Sequence, residues 1–247
     1  MLGLPPTIRA CLFDLDGVLT RTASVHASVW KDTFDAFLRD RAERSGEPFI
    51  PFDSGGDYDR YVDGKPRLDG TRSFLASRSI SLAEGAPDDP PGFATLNGLS
   101  NQKNELVLRR LAEDGVEVFD GSVRYVRAIR AAGLRTAVVS ASANAAQVLG
   151  TAGIAELFDT RIDGLVARER GLAGKPAPDT FLAGAAALGV EPEEAAVFED
   201  ALAGVAAGRA GAFGLVVGVD RAGQAEALRS QGADRVVGDL AELLEER

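Results

Sequence analysis

The first apolar run, Ile8 to Phe13, stops at Asp14 and is followed by Gly17. That is the pattern of a buried strand delivering its carboxyl end to a loop. From Thr22 to about Arg44, Val25, Val29, Trp30, Phe34, Phe37 and Leu38 recur at three- and four-residue spacings, which predicts an amphipathic helix. The stretch from Gly46 to Gly98 loses this regularity. It is rich in Gly, Pro and Asp, with short helical patches near Tyr58 to Val62 and Thr71 to Ser77, and it reads as a small separate lid.

Beyond a further helix, Lys103 to about Asp114, strands and helices alternate. The pattern predicts a strand at Leu134 to Ser140, a helix at Ala143 to Thr151, a strand near Thr160 to Ile162 and a helix at Thr180 to Leu188. It continues with a strand at Ala195 to Glu199, a helix at Ala201 to Ala210, a strand at Phe213 to Val219 and a short helix opened by Asp239. Such alternation predicts an α/β fold, a parallel sheet covered by helices on both faces. The first strand must join that sheet to bury its apolar residues, so the lid is an insertion and the core is discontinuous in sequence. No internal repeat or low-complexity tract interrupts this pattern.

The 247 residues are 45% hydrophobic, enough for a substantial core. One cysteine excludes a disulfide within the chain, and no Cys/His cluster suggests structural zinc. Cys11 reads as inert core on the first strand. With no signal-like opening and no apolar run of membrane-spanning length, a soluble cytoplasmic monomer is expected, with no membrane partner. The net charge of -10 repels nucleic acid, which is excluded as a partner. It repels phosphorylated small molecules too, so such a ligand needs local cations, helix N-termini or a metal.

The candidates for that task sit at strand ends. Asp14 and Asp16, in FDLDGVLT, lie two apart where the first strand runs out. A magnesium ion would relieve their repulsion and hold a phosphoryl oxygen while one carboxylate attacks phosphorus and the other handles a proton. Alone, this DxDG is equally a solvated turn or a calcium-loop fragment. Three further fragments narrow the choice. Ser140 closes the strand TAVVS, where its hydroxyl and the following helix N-terminus suit a phosphoryl oxygen. Lys175, in GKPAPD, supplies a point charge, and Glu199 and Asp200, in VFEDALAG, supply hard oxygen ligands. Each alone is ordinary: a capping serine, a surface lysine, a capping aspartate. The four in this order at successive strand ends are not.

The set resembles the four motifs of the haloacid dehalogenase superfamily over nearly the whole chain. The resemblance implies a Rossmann-like core at residues 1–21 and 117–247, with an inserted helical cap at 22–116. It implies that Asp14 becomes an aspartyl-phosphate, that Asp16 is the general acid/base, and that Ser140 and Lys175 complete the catalytic set. Mg2+ would be held by Asp14, the Asp16 backbone carbonyl and Asp200, with Glu199 assisting.

Within that superfamily, DLDGVLTRTASVHASVW is similar to the opening of β-phosphoglucomutases, whose threonine and histidine fall at the spacing of Thr22 and His26. The resemblance implies that this pair belongs to the hinge and to control of the acid/base aspartate. GKPRLDG resembles the family's cap loop, placing Arg67 toward a remote phosphate, and SNQKNE resembles the cap segment that brings Lys103 and Asn104 to phosphate and sugar. Ala141 and Ser142 complete an SAS segment like the family's. Trp30 is grouped with the substrate-binding candidates, although its place on an amphipathic helix also suits packing. The chain departs from the family at Ala143, where Lys is more frequent, and at Arg21, where many relatives have Asp.

The resulting expectation is interconversion of β-glucose 1-phosphate and glucose 6-phosphate through β-glucose 1,6-bisphosphate. A magnesium-dependent sugar-phosphate phosphatase is the alternative within the superfamily, and a non-catalytic sugar-phosphate sensor the alternative outside enzymes.

Overall fold

The computed structural model describes residues 2–245. Six strands form one fully parallel sheet: β1 (Ala10–Phe13), β2 (Arg135–Val139), β3 (Thr160–Ile162), β4 (Ala195–Glu199), β5 (Leu215–Val219) and β6 (Arg235–Val237), in the spatial order β3-β2-β1-β4-β5-β6. Parallel neighbours need crossover connections, and the alternating helices provide them. β1 is central and every one of its residues is buried, which explains its unbroken apolar sequence.

The sheet is covered on both faces. Ala10, Leu12, Ala137, Val139, Ala195 and Val197 point to one face. There they join Phe181 and Ala185 of α7 (Asp179–Leu188), Val205 of α8 (Leu202–Ala210) and Leu228 of α9 (Ala225–Ser230). On the other face Phe13 stacks on Phe198 with centroids 4.6 Å apart, and Tyr125 of α4 (Asp120–Ala131) meets Phe198 edge-on. Burying each such aromatic contributes about 1.5–3 kcal/mol. Cys11 is fully buried and free, and burial holds its thiol protonated far above the usual range.

The chain divides into two compact units, residues 1–22 with 116–247, and residues 23–115. The second unit is helical: most of α1 (Thr22–Ser45), a π-helical turn at Tyr58–Val62, α2 (Arg67–Ser77) and α3 (Leu96–Asp114). Its core is aromatic, with Phe34 against Trp30, Phe52 and Phe74. Buried Asp35 ties down the loop that follows α1 by accepting from Phe52 N at 2.8 Å and from Lys31 Nζ at 2.9 Å.

Several boundaries differ from the pattern. α3 begins seven residues before Lys103, because Thr95 caps it by accepting from Gly98 N, and Asn97 and Asn101 pin the preceding loop by donating to its carbonyls. The polar, glycine-containing first turns disguise that start. α4, α9, β6 and α6 (Gly164–Arg170) lie outside the predicted elements. The last three are short and bury little, so their periodicity is faint, whereas α4 has a clear apolar face at Val123, Val126 and Ile129. The strand ahead of Thr151 is followed by α5 (Ala145–Thr151), and α10 (Glu242–Glu245) starts three residues after Asp239. Among the described residues, no helix is long and apolar enough to cross a membrane.

Candidate active site

Sheet order reverses at β1, which lies between β2 and β4, and open α/β sheets form a ligand crevice outside the carboxyl ends of the strands at such a point. Phe13 is in register with Val138 on one side and Phe198 on the other. The next residues out are therefore Asp14, Val139 and Glu199, with Ser140 and Asp200 one step further. Asp14 N donates to Phe198 O at 2.9 Å and Ser140 N to Ile162 O at 2.9 Å, which carries the sheet's hydrogen bonding into the site.

Lys175 binds two carboxylates together. Its Nζ lies 2.5 Å from Asp14 Oδ1 and 2.5 Å from Glu199 Oε1, and it also donates to Val139 O at 3.3 Å. All three side chains are buried. Burial alone would depress the Lys175 ammonium, but the Asp14 and Glu199 carboxylates outweigh it and hold it above the normal lysine range. Burial pushes the Asp14 carboxyl well up, Lys175 pulls it back, and Glu199 and Asp16 push it up again.

One ammonium thus faces an excess of negative charge. Oxygens of Asp14, Glu199 and Asp200 fall within 4.8 Å of one another, a spacing that can hold a metal ion. Hard carboxylate oxygens in a site short of positive charge fit a cation such as Mg2+. Gly17 makes the close approach possible: its φ is +96°, and a Cβ there would overlap the Asp200 carboxylate at 1.8 Å. Both Glu199 oxygens are engaged: Oε2 accepts from Ala201 N at 2.7 Å and Oε1 accepts from Lys175.

Asp16 is held from another direction. Its Oδ1 is bonded by the Thr22 hydroxyl, Thr22 Oγ1 is 2.7 Å from Thr20 Oγ1, and Thr20 Oγ1 is 3.1 Å from Leu15 O. This chain of hydroxyls serves both states of the carboxyl: Thr22 donates to the ionised form, while a protonated Asp16 can donate to Thr22, Thr22 to Thr20, and Thr20 to Leu15 O. Thr22 is buried, and its hydroxyl is engaged with Asp16.

After β2, Ser140 Oγ accepts from Ser142 N and Ser142 Oγ accepts from Asn144 N, both at 3.1 Å. Two successive turns shape the Ser140-Ala141-Ser142 segment. Gly164 lies under it, where a Cβ would sit 2.7 Å from Ala141 O.

The remaining candidates belong to residues 23–115. Lys103 is buried, with Nζ 2.7 Å from His26 Nδ1 and 4.8 Å from the centre of the Trp30 ring. Trp30 is itself buried and stacked on Phe34, so it supports Lys103 within the helical core. Arg67 opens α2 and donates to Asn101 Oδ1 at 3.3 Å, and Asn104 follows Lys103 on α3. Two residues not singled out in the sequence also reach the motif loops. Arg221 donates to Gly17 O, and Gln224 to Asp200 O. An arginine and a glutamine in a loop after a strand have no distinguishing sequence signal.

A strand-end aspartate pair, a lysine between carboxylates and an acidic pair on the adjoining strand suit an enzyme that transfers or hydrolyses phosphoryl groups. Comparison with known proteins agrees. The family model described as haloacid dehalogenase-like hydrolase matches residues 8–211. The chain is 59% identical to a β-phosphoglucomutase of Mycobacterium tuberculosis, over 99% of this chain and 94% of that protein. It is 31% identical to the β-phosphoglucomutase of Bacillus subtilis, over 96% of this chain and 92% of that one. The crystal structure of a Clostridium difficile β-phosphoglucomutase superposes with a TM-score of 0.75 at 26% identity, covering 96% and 93% of the two chains. The chain belongs to the β-phosphoglucomutase family of the haloacid dehalogenase superfamily.

Proposed function

We propose that this enzyme interconverts β-glucose 1-phosphate and glucose 6-phosphate, with Asp14 carrying the phosphoryl group between sugars. Phosphorylated Asp14 gives its phosphoryl group to the 6-hydroxyl of β-glucose 1-phosphate, forming β-glucose 1,6-bisphosphate. The bisphosphate then presents its other end. Asp14 attacks the phosphorus at the anomeric position, the bond from that phosphorus to the anomeric oxygen breaks, and glucose 6-phosphate leaves. Asp16 takes the proton from the attacking hydroxyl and returns one to the departing anomeric oxygen.

The observation that carries this reading is the buried bridge of Lys175 to Asp14 and Glu199. A lysine there orients the nucleophile and offsets charge on the transferring group, and positioning with neutralisation supplies most of the rate in a loose phosphoryl transfer. Ser140 and the N–H groups of the Ala141-Ser142 segment bind phosphoryl oxygens. Asp14, the Asp16 carbonyl and Asp200 would hold Mg2+, with Glu199 as the anchor of Lys175. When bound, Mg2+ supplies Lewis-acid charge neutralisation at the phosphoryl oxygens. Residues 22–116 are assigned as the cap, with Arg67, Lys103 and Asn104 gripping the remote phosphate and sugar. His26 holds Lys103, and Trp30 and Thr22 act as supports.

A coupled assay primed with bisphosphate tests the reading. Glucose 6-phosphate should accumulate from β-glucose 1-phosphate without stoichiometric free phosphate. Steady release of phosphate would instead make the protein a sugar-phosphate phosphatase.

A further inference from the structure

The loop after β5 grips both halves of the acidic cluster without belonging to it. Asp220 N donates to Val237 O at 2.8 Å, anchoring the loop to β6, and Asp220 Oδ1 accepts from Gln224 N at 2.8 Å, which closes the loop on itself. Two side chains leave this fixed base. Arg221 Nε donates to Gly17 O at 3.0 Å, and Gln224 Nε2 donates to Asp200 O at 3.1 Å.

Arg221 is itself tightly held. Nη1 donates to Gly238 O at 2.6 Å and pairs with Asp239 Oδ2 at 3.2 Å, Nη2 donates to Ser122 Oγ at 3.3 Å, and the guanidinium lies 3.6 Å from the centre of the Phe119 ring. A planar fork on an aromatic face with this many acceptors is a rigid strut. It ends on the carbonyl of the residue directly after Asp16. Gln224 ends on the carbonyl of Asp200 itself. Gly17 and the Asp200 carboxylate are also the pair so close that a Cβ has no room between them.

We propose that Arg221 and Gln224 are positioning residues that together set the gap between the Asp14-to-Gly17 loop and Asp200, and thereby the affinity for the divalent cation. Neither is among the groups read as ligands of the cation. They fix the two backbone segments from which its ligands project, as outer groups commonly orient the ligands of a metal. This rests on the reading of Asp14, the Asp16 carbonyl and Asp200 as cation ligands.

Calorimetric titration of Mg2+ into the metal-stripped full-length chain provides a readout independent of turnover. Gln224→Met keeps the length of the side chain and removes its donor. It should weaken Mg2+ binding about tenfold, with thermal unfolding nearly unchanged and KM for the sugar phosphate preserved once Mg2+ is saturating. Arg221→Lys should weaken binding in the same direction, and Gln224→Met decides the matter if the arginine variant does not fold. Parent binding that Asp200→Asn abolishes, but that Gln224→Met and every folded Arg221→Lys sample leave unchanged, would overturn the positioning role alone. Absence of Mg2+ binding by the parent would overturn the metal-site reading with it.

Discussion

Lys175 and Asp14 form a buried ion pair, Nζ to Oδ1 at 2.5 Å, between residues 161 apart in sequence. The pair is costly to bury, and on the proposed reading it fixes one oxygen of the nucleophile and leaves a charged partner for the transferring group. Its first consequence concerns Lys175→Met. Two buried carboxylates would lose their cation, so the metal-free variant should lose about 3–5 kcal/mol of stability. Urea unfolding measures this, and Mg2+ should restore more stability to the variant than to the parent.

Asp14→Asn should do the reverse to the metal-free protein. The folded pKa of Asp14 is raised, chiefly by burial, so the native state binds its proton more readily than the unfolded chain does. Stability therefore falls as pH climbs from the unfolded aspartate value, about 3.9, through the folded one. Removing the ionisable group removes that penalty. Without Mg2+ at neutral pH the variant should melt at a higher temperature than the parent. The difference should shrink on acidification to about pH 4.

Thr22→Val keeps shape and deletes the hydroxyl on Asp16. With acid/base catalysis worth about 10²–10⁴-fold, kcat should fall by about 10²-fold, while KM stays within a few-fold. A large rise in KM with kcat intact would assign Thr22 to substrate binding instead.

Lys103→Met separates the helical unit from the core chemistry. Lys103 is held by His26 and by the face of Trp30, remote in sequence from all four core motifs. The variant should raise KM for the sugar phosphate at least tenfold, a loss of about 1.4 kcal/mol. Labelling of Asp14 by the small donor acetyl phosphate should persist.

What the sequence made legible follows from where signal is concentrated. β1 and β4 are buried on both faces, so their apolar runs and the acidic residues ending them stand out. Asp14 and Glu199 were identifiable because each closes or follows such an element, Lys175 only through its GKPAPD fragment ahead of α7, and the fold brings Lys175 into contact with both carboxylates. Edge strand β6 and the short helices α6 and α9 bury too little to imprint a period. The start of α3 was hidden because a threonine cap and two loop-binding asparagines, rather than apolar residues, define it. Arg221 and Gln224 act through carbonyls of distant residues, and backbone acceptors leave no mark on the sequence that supplies them. Thr22 was visible only as a resemblance, whereas its contact with Asp16 needed coordinates.

Esterification of Asp14 with phosphorus in each cycle is tested by incubating the enzyme with Mg2+ and radiolabelled acetyl phosphate and mapping the label by peptide. An alkali-labile label is expected on the peptide containing Asp14, absent in Asp14→Asn and absent when a chelator replaces Mg2+. Label on another peptide, or equal labelling of Asp14→Asn, would contradict it.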